Sequence, residues 1–173
     1  MDLFEAINNR RSIRKYISKK IDNDLILKII KAGMQAPSAG NQQPWHFIII
    51  DDKLIFNKIM EIHPHSKMLT EADKAIFIIA DINLEKYTNY WPLDCAAAVQ
   101  NMLLAAHGLG LGAVWLGVYP RQERMIKLKE LFNLPENIKP FALISLGYPA
   151  EQKQFEDRFK PERIHYNKWK EKL

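Results

Sequence analysis

Between Asp94 and Arg121 not one residue carries a formal charge, and that window restricts the folds open to this chain more than any other feature. Its length would let a helix cross a bilayer. It contains Gln100, Asn101 and His107, however, followed by Gly108, Gly110, Gly112 and Gly117, and glycines so spaced break one continuous helix. The window therefore reads as a buried helix from Leu93 to His107, opened by Pro92 at its first position, and then a buried strand from Ala113 to Val118. The helix is apolar nearly all round, so it must be covered on all sides. In a chain this small the cover is either the middle of the fold or a second subunit.

The 173 residues are 47% hydrophobic and 26% charged, which suits a single globular domain spanning 1–173. An excess of 25 Lys and Arg over 20 Asp and Glu gives a net charge of +5. That is too small for a protein that coats nucleic acid, but enough to favour an anionic ligand where it is concentrated. The single cysteine, Cys95, excludes an intrachain disulfide framework and a multi-cysteine zinc site. Met1-Asp2-Leu3-Phe4-Glu5 places acids where a signal peptide needs a basic flank and an apolar run. A cytoplasmic protein with no membrane and no nucleic-acid partner is expected.

Along the chain, Asp2 and Glu5 form a capping box for a short helix to about Asn8. Residues 22–35 predict an amphipathic helix with Leu25, Ile26, Ile29, Ile30, Gly33 and Met34 on one face, stopped by Pro37. Strands are predicted at Trp45–Ile50, Ala75–Ala80, Ala113–Val118 and Phe141–Leu146, and helices at Lys53–Met60 and Pro120–Phe132. The fold class is α+β. Residues 150–173 form a C-terminal extension whose Phe155, Phe159, Tyr166 and Trp169 argue against a free tail; an arm that packs on something, such as a second copy, fits better.

Residues 10–20 hold six basic side chains and no acidic one. Arginine offers a planar fork of donors suited to phosphate and Ser12 adds a hydroxyl, although a solvated basic turn would look the same. Gly108, Gly110 and Gly112 follow a helix and precede a strand, the reverse of the dinucleotide-binding order. His63 and His65 flank Pro64 with no further ligand at metal-binding spacing, so they read as exposed loop histidines. Ser38 lacks a nucleophile elbow, and Cys95 sits in an apolar helical setting that makes it inert packing. With no acid–base or nucleophile set in view, any hard chemistry belongs to a cofactor.

Four segments carry a resemblance. Arg10-Arg11-Ser12-Ile13-Arg14-Lys15-Tyr16 opens the chain, and Ala36-Pro37-Ser38-Ala39-Gly40-Asn41-Gln42-Gln43-Pro44-Trp45-His46-Phe47 follows the second helix. Gly110-Leu111-Gly112-Ala113-Val114-Trp115-Leu116-Gly117-Val118 leads into the third strand, and Glu156-Asp157-Arg158-Phe159 lies in the extension. In this order and spacing the chain resembles the FMN-dependent nitroreductase family over essentially its whole length.

The resemblance implies an α/β/α sandwich around a mostly antiparallel mixed sheet, in a homodimer whose C-terminal arms are exchanged and whose two FMN sites lie at the interface. By position, Arg10, Arg11, Ser12 and Arg14 are expected to hold the FMN phosphate with Arg158. Pro37, Ser38, Ala39 and Asn41 should border the isoalloxazine from the other subunit. Lys67 matches a lysine near the flavin pyrimidine, and Leu116-Gly117 matches the strand end whose amide faces flavin N5. The implied reaction is ping-pong, from NADH or NADPH through FMN to a nitroaromatic, quinone or similar small-molecule acceptor. A specialised flavin reaction (dehalogenation, enone reduction, flavin fragmentation) and a non-catalytic flavin-binding protein are the alternatives. Leu116 stands where many members carry an acidic residue, and Pro64 where that branch has an asparagine. The stretch between residues 80 and 92 is also too short for the extra helices of longer members.

Overall fold

The computed structural model describes residues 2–170; Met1 and positions 171–173 of the expected extension lie outside the described residues. Five strands form the sheet: β1 (Tyr16–Ile17), β2 (Trp45–Ile50), β3 (Lys74–Asp81), β4 (Gly112–Gly117) and β5 (Ile138–Pro149). Five α-helices accompany them: α1 (Leu3–Asn9), α2 (Asn23–Met34), α3 (Lys53–Ile62), α4 (Trp91–Gly108) and α5 (Gln122–Leu131).

Strand β5 is the spine. It pairs with β3 through Ile138–Leu146, with β4 through Ala142–Gly147, and with β1 at Tyr148 and Pro149, while β2 lies beyond β3. Every one of these pairings is antiparallel. The parallel component is a single bridge between Ser12 and Ala113, closed by the Ile13 N–H donating to the Ala113 carbonyl at 3.0 Å.

Residues Lys74 to Ala80 of β3 are all buried. Successive side chains of a strand face opposite sides, so the sheet is covered on both. On one side α4 runs across β2, β3, β4 and β5, with α2 and α1 packed on it; α3 and α5 pack together, and α5 lies on β5. The Phe77 ring meets Phe132, just beyond α5, with centroids 4.9 Å apart. The expected α/β/α arrangement is what this order of elements builds.

Local chemistry explains the boundaries. Asp2 caps α1 by accepting from the N–H groups of Phe4 and Glu5, and Asp22 and Asp52 cap α2 and α3 in the same way. Helix α5 begins at Gln122 rather than Pro120, because Val118–Arg121 first closes a turn through the Arg121 N–H and Val118 carbonyl. Strand β5 runs well past the expected Phe141–Leu146. Its Pro140 sits opposite Ile79, where the register shifts, and a strand tolerates a missing N–H at such an irregularity.

The uncharged window is a helix and a strand, as its glycines require. Within one chain, however, α4 is covered on only one side. Cys95, Ala98, Val99, Met102 and Ala106 are buried, and Gly33 of α2 presses so close that an added Cβ would stand 2.7 Å from Met102 Cγ. Leu93, Ala96, Ala97, Gln100, Leu104 and His107 form the opposite stripe at helical spacing; none is fully buried, and Leu93 is 64% exposed.

Candidate functional site

After α1 the chain runs extended past Ser12, pinned to β4 by its bridge with Ala113. The C-terminal segment returns along it. Ala150 N–H donates to the Lys15 carbonyl at 2.9 Å, and Arg14 N–H to Glu151 Oε1 at 2.6 Å. Lys153 Nζ reaches the Ser12 carbonyl at 2.7 Å, and Arg11 Nε reaches the Gln154 carbonyl at 3.2 Å. These contacts bring Arg158 beside Arg10 and Arg11, so that Arg10, Arg11, Ser12, Arg14, Lys153 and Arg158 line one cleft of about 330 Å³.

The cleft is electrostatically unfinished. Burial, and then the charges of Arg158 and Arg11, pull the Arg10 guanidinium below its ordinary pKa. Arg11 Nη2 is buried with no hydrogen-bond partner among the described residues. A bound anion would answer both, supplying an acceptor for the orphaned donor and relieving the crowded cations. The sequence run 10–20 holds no acid, yet the fold brings acids to it: Glu151, held below the usual carboxylate range by the Arg14 amide, Glu71, which accepts the Tyr16 N–H at 3.0 Å, and Glu156, 3.4 Å from Arg158.

Lys67 opens a 3-10 turn, Lys67–Thr70, and lines the adjoining cleft of about 440 Å³ together with Arg14, Met68 and Glu71. The lysine and the arginine cluster are thus neighbours, although more than fifty residues separate them in the chain.

Leu116 is buried near the end of β4, and Gly117 follows with open space where a Cβ would be. Residues along a strand alternate in which edge they bond. Ala113 bonds outward to Ile13, while Val118 N–H bonds inward to Phe141 on β5. Gly117 therefore turns its N–H and carbonyl away from β5. Its carbonyl accepts from His63 Nε2 at 2.9 Å and from Arg124 Nη1 at 2.8 Å.

His63 corrects the expectation of an exposed loop. Its side chain is buried against β4, whereas His65 is exposed. Burial first, then the Arg124 charge, lowers its pKa, opposed by the bond to Gly117. Local sequence could not reveal this, because both partners lie more than fifty residues downstream.

Ser38, Ala39 and Asn41 form a tightly held turn after Pro37. Asp94, buried in the first turn of α4, accepts the Ala39 N–H at 2.9 Å and the Gln42 side-chain amide at 2.6 Å. Gln42 Oε1 in turn accepts from the N–H groups of Lys86 and Tyr87. Gly40 has φ +54°, and an added Cβ would lie 2.5 Å from the Tyr87 ring, so a side chain there would strain the backbone and push the ring aside. Ser38 Oγ accepts from the Gln43 N–H rather than standing free. The turn lines neither the arginine cleft nor the Lys67 cleft. Asp94 was the residue to notice, the last charge before an uncharged helix. Cys95 beside it is buried, which raises its pKa and suits packing.

The Nitroreductase family profile matches residues 7–67 and 61–148. A protein of Archaeoglobus fulgidus named "Putative NADH dehydrogenase/NAD(P)H nitroreductase" is 51% identical over 97% of this chain and 99% of its own. The crystal structure of a Clostridium acetobutylicum protein named "Putative NADH Oxidase" superposes with a TM-score of 0.92 at 49% identity, covering 95% of this chain and 99% of that one. A Desulfovibrio desulfuricans protein named "a putative nitroreductase in complex with fmn" superposes with a TM-score of 0.84 at 30% identity over 98% of both chains. Matched along its sequence and across its whole sheet, the chain belongs to the nitroreductase family.

Proposed function

We propose that this chain is an FMN-dependent oxidoreductase, one domain per subunit in a cytoplasmic homodimer, that takes electrons from NADH or NADPH and delivers them to a nitroaromatic, quinone or similar small acceptor. The observation that carries the reading is the convergence of Arg10, Arg11, Ser12, Arg14 and Arg158 on one cleft, with Arg11 Nη2 buried and unpartnered among the described residues. The residues fit the group: forked cationic donors for a phosphate dianion, and an open edge at Gly117 where a flat ring can approach the backbone. The Desulfovibrio relative's FMN complex and the Archaeoglobus relative's nicotinamide-linked name support the same choice.

FMN, when bound, supplies the redox chemistry by alternately accepting and donating hydride in a ping-pong cycle. The protein binds, orients and tunes. The arginine cleft anchors the phosphate end. Lys67, on the same side as Arg14, places a cation where it favours the more anionic reduced ring. Leu116 and Gly117 present the backbone edge, and Pro37, Ser38, Ala39 and Asn41 border the ring from the partner subunit. A second copy would cover the α4 stripe and receive Phe159, Tyr166 and Trp169, which stand exposed on the C-terminal segment.

The test is spectroscopic. Purified protein should show bound flavin absorption that bleaches on anaerobic addition of NADH or NADPH and returns with a nitroaromatic or quinone. Protein that takes up no flavin when supplied with FMN refutes the proposal; bound flavin that neither nicotinamide reduces refutes the donor.

A further inference from the structure

We propose that His63 and Arg124 are positioning residues that clamp the Gly117 carbonyl and so fix the backbone edge presented to the flavin; the role rests on the assignment of Gly117 to that ring. Three elements meet at this one oxygen. His63 is the residue that ends α3, Arg124 lies in the first turns of α5, and Gly117 ends β4.

The bonding pattern defines the histidine. Nε2 faces a carbonyl, which only accepts, so Nε2 carries the proton and donates at 2.9 Å. Nδ1 accepts the backbone N–H of His65 at 3.3 Å and so carries none. His63 is therefore a neutral imidazole in one tautomer. Arg124 Nη1 stands 3.4 Å from Nε2 because two donors converge on the same oxygen. The direction of the His63 pKa agrees, since burial and the Arg124 charge both disfavour a second proton.

Gly117 needs holding. It closes a strand whose outer edge, among the described residues, is paired by the Ser12 bridge alone, and its own carbonyl points away from β5. Glycine has the widest backbone freedom of any residue. Two hydrogen bonds, one from a guanidinium, fix the peptide plane after Gly117. The plane before it, which carries the outward Gly117 N–H, is held on the Leu116 side by pairing with β5, so the clamp leaves the glycine between two fixed planes. Arg124 also sets a permanent positive charge one peptide away from that edge, which favours a reduced, more negative ring.

The holoprotein is compared with Arg124→Met, Arg124→Lys, His63→Leu and His63→Gln by spectroscopic redox titration, FMN binding and melting. Arg124 is half-exposed, so its replacement leaves the core intact. Arg124→Met should shift the flavin midpoint potential to more negative values and slow flavin reduction by roughly tenfold or more. FMN affinity should stay near wild type, because the phosphate end is held elsewhere. Arg124→Lys should recover most of the potential, and His63→Gln, which keeps a donor, should lie closer to wild type than His63→Leu. A potential unmoved by Arg124→Met overturns the proposal, and a loss of melting temperature alone makes the pair merely structural. A wild-type protein that binds no FMN fails at the earlier step, refuting the cofactor and this role with it.

Discussion

The arginine cleft and the Pro37–Asn41 turn are built in opposite ways. The cleft is gathered from distant parts of the chain, crowds like charges, and leaves a buried donor of Arg11 without a partner. The turn is over-determined: a buried carboxylate holds the Ala39 N–H and the amide of the following Gln42, and Gly40 takes a φ of +54° beside the Tyr87 ring. Yet the turn borders neither the arginine cleft nor the Lys67 cleft of its own chain. On the proposed reading, the cleft and the turn are complementary halves of a site shared between two copies. The half-covered α4 stripe indicates where, on the proposed reading, the second copy lies.

Charging that stripe should have the largest effect. Leu93 is exposed in the single chain, so Leu93→Arg should leave the protomer's fold intact while placing an unpaired charge in the proposed subunit contact. Sedimentation should show monomers and the purified protein should be colourless. A yellow dimer would break the comparison. Asp94→Ala removes the acceptor for the buried Gln42 amide, at about 1–3 kcal/mol, and for the part-buried Ala39 N–H; it should loosen the turn, lower the melting temperature and weaken FMN, with the dimer retained.

Arg10→Ala or Arg158→Ala acts on the other half. Each should weaken FMN by roughly 1.5–3 kcal/mol, the range for a charged hydrogen bond, measured by equilibrium dialysis, with the melting temperature of flavin-free protein unchanged. Undiminished affinity in both would remove the phosphate assignment.

The smallest expected effect is on pH. His63 has a lowered native pKa, and the groups facing it are Arg124, His65 and the Gly117 carbonyl. A depressed value favours the folded state above the ordinary 6.5, and that contribution is lost as pH falls from there through the native value. Melting temperature should drop over that interval, and His63→Gln should flatten the drop.

The elements were largely legible in the sequence because their signals are local. Trp45–Ile50 was bounded to the residue by its apolar run and the Asp51-Asp52 pair, and α2 by Asp22 and the breakers after Gln35. Strand β1 escaped notice because two residues leave no periodicity, and its partners Tyr148 and Pro149 lie at the far end of the chain. His63 was misread for the same reason at the level of the site. A histidine beside a proline looks like a loop until Gly117 and Arg124 are folded against it. The arginine cluster was visible as charge, but Glu151 and Lys153 joined it only through tertiary contacts.

A site shared between two chains can be tested by complementation. One chain would carry Arg10→Ala with Arg158→Ala, the other Asp94→Ala, each bearing a different affinity tag, with the mixed dimer isolated by tandem purification after co-expression. One of its two sites would then be whole, the Asp94→Ala chain's intact arginines facing the other chain's sound turn, while the second site would carry both lesions. The account predicts that neither parent holds much flavin and that the mixed dimer holds about one FMN per two chains. A mixed dimer as colourless as its parents would contradict it.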